Sequence, residues 1–411
     1  MKRQALAALI CGGMVGAGSL LGGIGFLLGG ARGFYVDRAG AHYYQNQPTV
    51  TELEQVMDYG EADWNGECAE VYEETECWED EEHWAEEHWD SREPVTVIQE
   101  ATVVPGERIT GNIGLNDFHS IRGVFTAEEI TLVESDRFAV EYSLNSTLHF
   151  EELAVEDGVL RIEVKPRIEQ LAFLDFRLSR REENTVRIYY PAGMAFDEVN
   201  LEFVTGSLSA ADLRAEHTSV RYTSGECRLE RLSGALEVSM TSGSLQISGG
   251  DLSMVDVTSS SGYAVLEDLT VGDCVRTAGL NGKYTLQNLQ ANALELTGTS
   301  GDIRIENCRA NTLSTQYVSG ELKGIGLETA GLDVFATSGT IDLEGAFSGK
   351  NILKTTSGTI RFQTSLPEDS YQCSVSTISG KAQAGRSGSA SAPNQLDIRT
   401  TSGSVEYSFG S

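Results

Sequence analysis

The sequence predicts an all-β protein: a parallel β-helix or solenoid of about eleven 19-residue coils, preceded by irregular β strands, an acidic linker and one transmembrane helix. Three observations carry this. A glycine preceded by a small polar residue recurs roughly every 19 residues through the second half of the chain. Apolar residues keep fixed distances from that glycine, and the amino terminus opens on a long uncharged run.

The first element is the anchor, residues 1–32. After Met1, Lys2 and Arg3 the chain carries no charge from Gln4 to Ala31, which exceeds a secretory signal core and suffices to span a bilayer. Lys2 and Arg3 favour a cytoplasmic amino end with the bulk of the chain extracytoplasmic, against the pull of Arg32 and Arg38 on the far flank. Cys11 follows bulky Leu9 and Ile10, which does not suit lipoprotein processing. The pairs Gly12/Gly16, Gly18/Gly22 and Gly25/Gly29 are each four apart, a spacing that lets a second helix approach and would support self-association through the span.

A juxtamembrane stretch and an acidic linker fill residues 33–93. Between Thr51 and Glu93 there are 18 acidic residues and one basic residue, Arg92, which is more than half of the chain's net charge of -31. All four tryptophans, Trp64, Trp78, Trp84 and Trp89, lie there too. A block of like charge stays solvated and extended, so the segment reads first as a spacer. The overall charge also excludes nucleic acid as a partner, because a polyanion is repelled at long range.

Residues 94–198 alternate in strand fashion, as in Phe138-Ala139-Val140-Glu141-Tyr142 and Val159-Leu160-Arg161-Ile162-Glu163-Val164, with turns at Glu156-Asp157-Gly158 and Pro191-Ala192-Gly193. They read as a β-rich capping region leading into the repeat.

The solenoid proper is expected over 199–411. Its turn glycines are Gly206, Gly225, Gly243, Gly262, Gly282, Gly301, Gly320, Gly339, Gly358, Gly380 and Gly403, at spacings of 19, 18, 19, 20, 19, 19, 19, 19, 22 and 23. Two and four residues after the glycine come apolar pairs such as Leu245 and Ile247, or Ile341 and Leu343. Seven and five residues before it come Leu236 and Val238, or Leu332 and Val334. Each pair is one inward strand face. A third apolar point seven after the glycine, at Leu213, Leu232, Leu269, Leu289 and Leu327, marks a corner. Stacked in sequence order at ~4.8 Å, eleven such coils make a rod of roughly 50 Å. The glycine accepts positive φ at the turn, and the Ser or Thr hydroxyl before it bonds to nearby backbone as scaffold chemistry.

The units Thr299-Ser300-Gly301-Asp302-Ile303-Arg304-Ile305, Thr337-Ser338-Gly339-Thr340-Ile341-Asp342-Leu343 and Thr356-Ser357-Gly358-Thr359-Ile360-Arg361-Phe362 resemble the repeats of the bacterial envelope family of putative adhesins. Asp157-Gly158-Val159-Leu160-Arg161-Ile162 and Val186-Arg187-Ile188-Tyr189-Tyr190-Pro191 look like that family's leading strands, so the resemblance runs from about Ile130 to the end. It implies surface exposure and binding. Some relatives are membrane-anchored and linked to envelope-stress operons, and the family brings no signature catalytic residues. The acidic insert departs from its usual short linker.

One chemical constellation competes with the spacer reading of the linker. Cys68, Cys77, His83 and His88 offer two thiolates and two imidazoles within 21 residues, but their spacings of 9, 6 and 5 match no standard zinc module. In an oxidising compartment a Cys68–Cys77 disulfide is the alternative. Cys227, Cys308 and Cys373 fall at positions apolar in other coils and read as small hydrophobes, while Cys274 fits no column. The residues one and three after each glycine form mixed columns that single out no facing carboxylates.

The sequence therefore points to a membrane-anchored, non-enzymatic binding or structural surface protein. It needs no cofactor and meets an envelope or surface partner, protein or glycan, along an extended face. A sensor or regulator of envelope stress and a carbohydrate-active β-helix enzyme are the alternatives.

Overall fold

The computed structural model describes residues 33–37, 40–44, 108–166, 184–382, 389 and 391–410. The anchor, the acidic linker and Cys68, Cys77, His83 and His88 lie outside the described residues. Among those described, no helix is long and apolar enough to cross a membrane. The chain divides into two units, Met1–His88 and Trp89–Ser411. In the first, β1 (Gly33–Asp37) and β2 (Gly40–Tyr44) form an antiparallel pair.

The second unit is an all-β parallel solenoid of about eleven turns. Its leading strands are β3 (Arg108–Gly114), β4 (Ser120–Phe125), β5 (Glu128–Ser135), β6 (Ala139–Asn145), β7 (Leu148–Glu156), β8 (Val159–Pro166) and β9 (Asn184–Pro191). The coils proper run through β10 (Ala195–Phe203), β11 (Ser207–Ala211), β12 (Arg214–Tyr222), β13 (Glu226–Met240), β14 (Ser244–Glu267), β15 (Thr270–Gln287) and β16 (Gln290–Glu306). The chain finishes in β17 (Arg309–Pro367), β18 (Tyr371–Thr377), β19 (Lys381–Ala382) and β20 (Asn394–Gly410).

Each coil pairs in parallel with the next at the spacing read from the sequence. Ile303 opposes Leu322, for example, and Gly301 opposes Gly320. The apolar columns two and four after the glycine, five and seven before it, and seven after it point inward: Leu245, Ile247, Leu236, Val238 and Leu289 are all buried. A further inward column stands three before the glycine, at Phe203, Tyr222, Met240 and Tyr317. Stacking one large side chain on its copy in the next coil is the natural way to fill such a column. The Phe203 and Tyr222 rings lie 4.8 Å apart and 2° from parallel.

The stack is not in sequence order at either end. At the amino end β4 and β5 lie between β8 and β9 on one side and β10 and β11 on the other. At the carboxyl end β20 lies between the last coil of β17 and the β18–β19 level. The order of the final glycines is thus 358, 403, 380, which corrects the sequential stacking expected from the repeat. The physical reason is visible in the spacings of 22 and 23 residues there. A short 3-10 turn, Glu368–Ser370, carries the chain past one level, and the returning segment fills the gap.

The turn glycines form one continuous column, and its basis differs from the positive φ expected. Gly206, Gly225, Gly243, Gly262, Gly301, Gly320 and Gly339 have positive φ, but Gly282, Gly358, Gly380 and Gly403 do not. What most of the column shares is close approach to the level below. A Cβ on Gly320 would sit 1.9 Å from the Gly301 carbonyl oxygen, and one on Gly358 would sit 1.9 Å from that of Gly339. At Gly282 the space goes instead to the Tyr284 ring, which a Cβ would meet at 2.7 Å.

Below Gly206 the column ends on Glu128, which is fully buried. Its Oε2 accepts hydrogen bonds from the backbone N–H of Thr126 at 2.7 Å and of Ala127 at 2.9 Å. Its Oε1 has no hydrogen-bond partner. Burial pushes this carboxyl above its ordinary value, against the opposing pull of those backbone donors.

A second turn column, six after the glycine, holds non-glycine residues in the left-handed region: Asp212, Arg231, Asp268, Asn288 and Asn307. The side chains tie levels together, as when Asn288 Nδ2 donates to Asp268 Oδ1 at 2.8 Å and Arg231 pairs with Asp212 at 2.7 Å. Asn and Asp tolerate this conformation best among side-chain-bearing residues, so the column fixes the corner before the buried leucine.

Candidate functional site: a groove along the stack

Counting outward from the turn glycine, the third residue back points into the core while the second and fourth back point out. Strand alternation requires this. Copied up the stack, the two outward columns become the walls of a groove of about 900 Å³, with the inward column as its floor. The lining runs from Val124, on the Glu128 level, to Thr337, on the Gly339 level. Those nine levels span ~38 Å at the strand spacing.

The floor is held by buried phenols whose oxygens are already engaged. Tyr222 Oη donates to the Ser244 carbonyl at 2.9 Å, and Tyr317 Oη donates to that of Thr340 at 3.0 Å. Tyr284 donates to the Ala278 carbonyl at 3.0 Å and meets Ser259 Oγ at 2.5 Å. Burial raises the pKa of all three tyrosines, so they stay protonated at neutral pH; Tyr222 and Tyr317 line the floor, and Tyr284 lies in the core behind it. At Gly279 and Gly298 the floor has no side chain, and at Gly279 the Tyr284 hydroxyl takes the space, where a Cβ would meet it at 2.4 Å.

The walls mix hydroxyls with exposed apolar groups. Thr223, Thr241, Ser260, Thr299 and Thr337 stand in the column two before the glycine, among Val204, Leu280 and Val318. Among the described residues six large hydrophobics are notably exposed, and four of them, Val124, Leu280, Val318 and Phe335, line this groove. Such a concentration makes the groove the candidate contact surface, since scattered exposed apolar residues are ordinary. The charged residues in the lining are Glu202 and Arg221, which pair with each other at 3.4 Å near one end. Flanking charge is also paired between levels: Arg276 reaches Asp256 at 3.4 Å and Glu295 at 3.0 Å.

Chemically the lining can hold something long and uncharged. It offers a single carboxylate, whereas most glycoside hydrolysis uses two. Among the described residues no cluster of three His, Cys, Asp or Glu side chains is placed to hold a metal ion. The turn hydroxyls immediately before the glycine are spent on the scaffold, for Ser242 Oγ donates to the Thr223 carbonyl at 3.3 Å and Ser261 Oγ to that of Thr241 at 3.3 Å.

The described cysteines lie away from the groove lining. Cys227 and Cys308 are buried in the apolar columns, and Cys373 is half-covered at the end of the stack. Cys274, which fitted no column, stands beside the irregularity where the 20-residue coil absorbs its extra residue between Val271 and Cys274. Burial pushes its thiol up to about 11, so it is no ready nucleophile.

Sequence reasoning tested the columns one and three after the glycine and found them mixed; the groove lies on the other side of the turn. The signal was present as Leu280, Val318 and Phe335, apolar residues out of phase with the inward alternation.

Fold and groove together define a repeat protein of the parallel β-solenoid class with an extended face. The chain belongs to the Toastrack DUF4097 family, whose model matches residues 124–279 and 275–408. Solved structures similar to it include a putative lipid binding protein from Parabacteroides distasonis, at 13% identity and a TM-score of 0.33, covering 74% of this chain and 99% of that one. A putative adhesin from Bacteroides fragilis has 13% identity and a TM-score of 0.27, covering 74% and 97%. A putative cell adhesion protein from Clostridium sporogenes has 13% identity and a TM-score of 0.28, covering 49% and 98%. Likenesses this distant carry no argument about function. No curated protein matches the chain.

Proposed function

We propose that this chain is a membrane-anchored, extracytoplasmic, non-enzymatic binding protein whose groove holds an uncharged glycan strand. The observation that carries the reading is the nine-level strip of hydroxyl and apolar side chains with a single internally paired charge couple. A neutral sugar chain presents alternating hydroxyl edges and apolar ring faces, which suits Thr and Ser beside Leu280, Val318 and Phe335. A charged polymer would meet no unpaired counter-charge there and would face a chain of net charge -31. Affinity is spread along the strip, as stacked repeats tend to distribute it. Anchoring rests on the uncharged run Gln4–Ala31 and orientation on Lys2 and Arg3.

The test uses the full-length chain in detergent micelles against immobilised polysaccharides. Neutral glycans should be retained and anionic ones not, and Leu280→Asp with Val318→Asp should weaken retention at least tenfold with an unchanged melting temperature. Failure of every neutral glycan to bind, or cleavage of any of them, contradicts the reading. Protease shaving of intact cells tests the topology: cleavage within the solenoid is expected, and a fully protected solenoid would place it inside.

A further inference from the structure

The two ends of the solenoid are finished differently. At the amino end the terminal coil is covered by antiparallel strands, β7 on β8 and β6 on β9, with β3 beyond β6. At the carboxyl end the outermost level is β18 with β19, paired on one side with β20. Among the described residues β20 is the one strand registered against β18 and β19.

That outer edge carries its charges at its two ends, Glu368 and Asp369 before β18 and Lys381 in β19. Natural edge strands are blunted by charge, proline or bulges. From Tyr371 to Gly380 the sequence has no charged residue and no proline. The core beneath it is incompletely covered: Cys373, Val375, Tyr407 and Phe409 are only partly buried, and Ile378 is 84% exposed. The connecting segment from Gln383 to Pro393 contains no Val, Leu, Ile, Met or aromatic residue.

We infer that this end pairs with the same end of a second copy of the chain, β18 against β18 about a two-fold axis. An isologous contact uses one patch twice, and antiparallel pairing of a strand with itself keeps its inward residues, Tyr371, Cys373 and Val375, on one continuous face. The neutrality of the patch is what a second copy requires. Two chains of net charge -31 repel over most of their surface, and along Tyr371–Gly380 they present no charge to each other. This association is separate from any made by the glycine-rich span.

Sedimentation velocity of the full-length chain in detergent micelles should show dimers. Val375→Lys, which puts like charges face to face at the two-fold, should weaken dimerisation at least tenfold. Because Val375 contributes to packing, Ile378→Lys is the control that keeps the fold, and it should weaken dimerisation in the same direction. With Val375 opposite its own copy, Ser374 faces Ser376 of the other chain, so the double variant Ser374→Cys with Ser376→Cys should give a disulfide-linked dimer under mild oxidation. A wild-type chain that stays monomeric at high micromolar concentration, or dimers untouched by both lysine variants, would overturn the inference.

Discussion

The glycine column and the groove walls lie only two to four residues apart in every coil, yet they do opposite work. In the column the backbone of one level presses on the carbonyl of the level below, so nothing larger than hydrogen fits at positions such as Gly320. In the walls the side chains point to solvent, and the coils tolerate Thr, Ser, Leu, Val, Ala and Gln alike. The same period that locks the scaffold therefore repeats a surface. Constraint sits in one column, and freedom to vary sits in its neighbours.

The largest effect expected from breaking this contrast is at the column. Gly320→Ala forces a Cβ to 1.9 Å from the Gly301 carbonyl oxygen at a φ of 130°, and should cost on the order of 4 kcal/mol in denaturant unfolding. The corner column is more forgiving. Asn288→Val places a β-branched residue at a φ of 55° and should cost roughly 1–2 kcal/mol, whereas Asn288→Gly should be close to neutral.

Glu128 sharpens the comparison, because it is a carboxylate standing where the column otherwise has glycine. Its carboxyl is raised above the unfolded value of 4.5 by burial, so folding is favoured when the group is protonated and this contribution is lost as pH rises through the raised value. Glu128→Gln should accordingly raise the melting temperature at pH 7 and change it little at pH 4, below the unfolded value. An equal shift at both pH values would contradict the linkage. The smallest effect on stability belongs to the walls: Thr299→Ala should alter stability by less than about 0.5 kcal/mol while weakening ligand retention.

Much of the fold was legible because a 19-residue period with fixed inward positions leaves little choice. The apolar columns at Leu245, Ile247, Leu236 and Val238 are buried where alternation puts them. The ends were not legible, since β20 slips between β17 and β18 through non-local pairing that no local pattern encodes. Only the odd spacings around Gly380 hinted at it. The left-handed corner is encoded in the Asp268-Leu269 and Asn288-Leu289 dipeptides, where the leucine gives the stronger periodic signal and the residue before it the conformation. The groove was hardest to see, because its walls are defined by facing outward, and exposure is a weaker sequence signal than burial.

The separation of scaffold from surface is tested most directly by measuring unfolding and neutral-glycan retention side by side for Gly320→Ala and Val318→Asp. Gly320→Ala should lose stability, and with it retention, while Val318→Asp should unfold like the wild type and lose retention alone. A Val318→Asp variant that retains glycan fully, or one destabilised as much as Gly320→Ala, would contradict it.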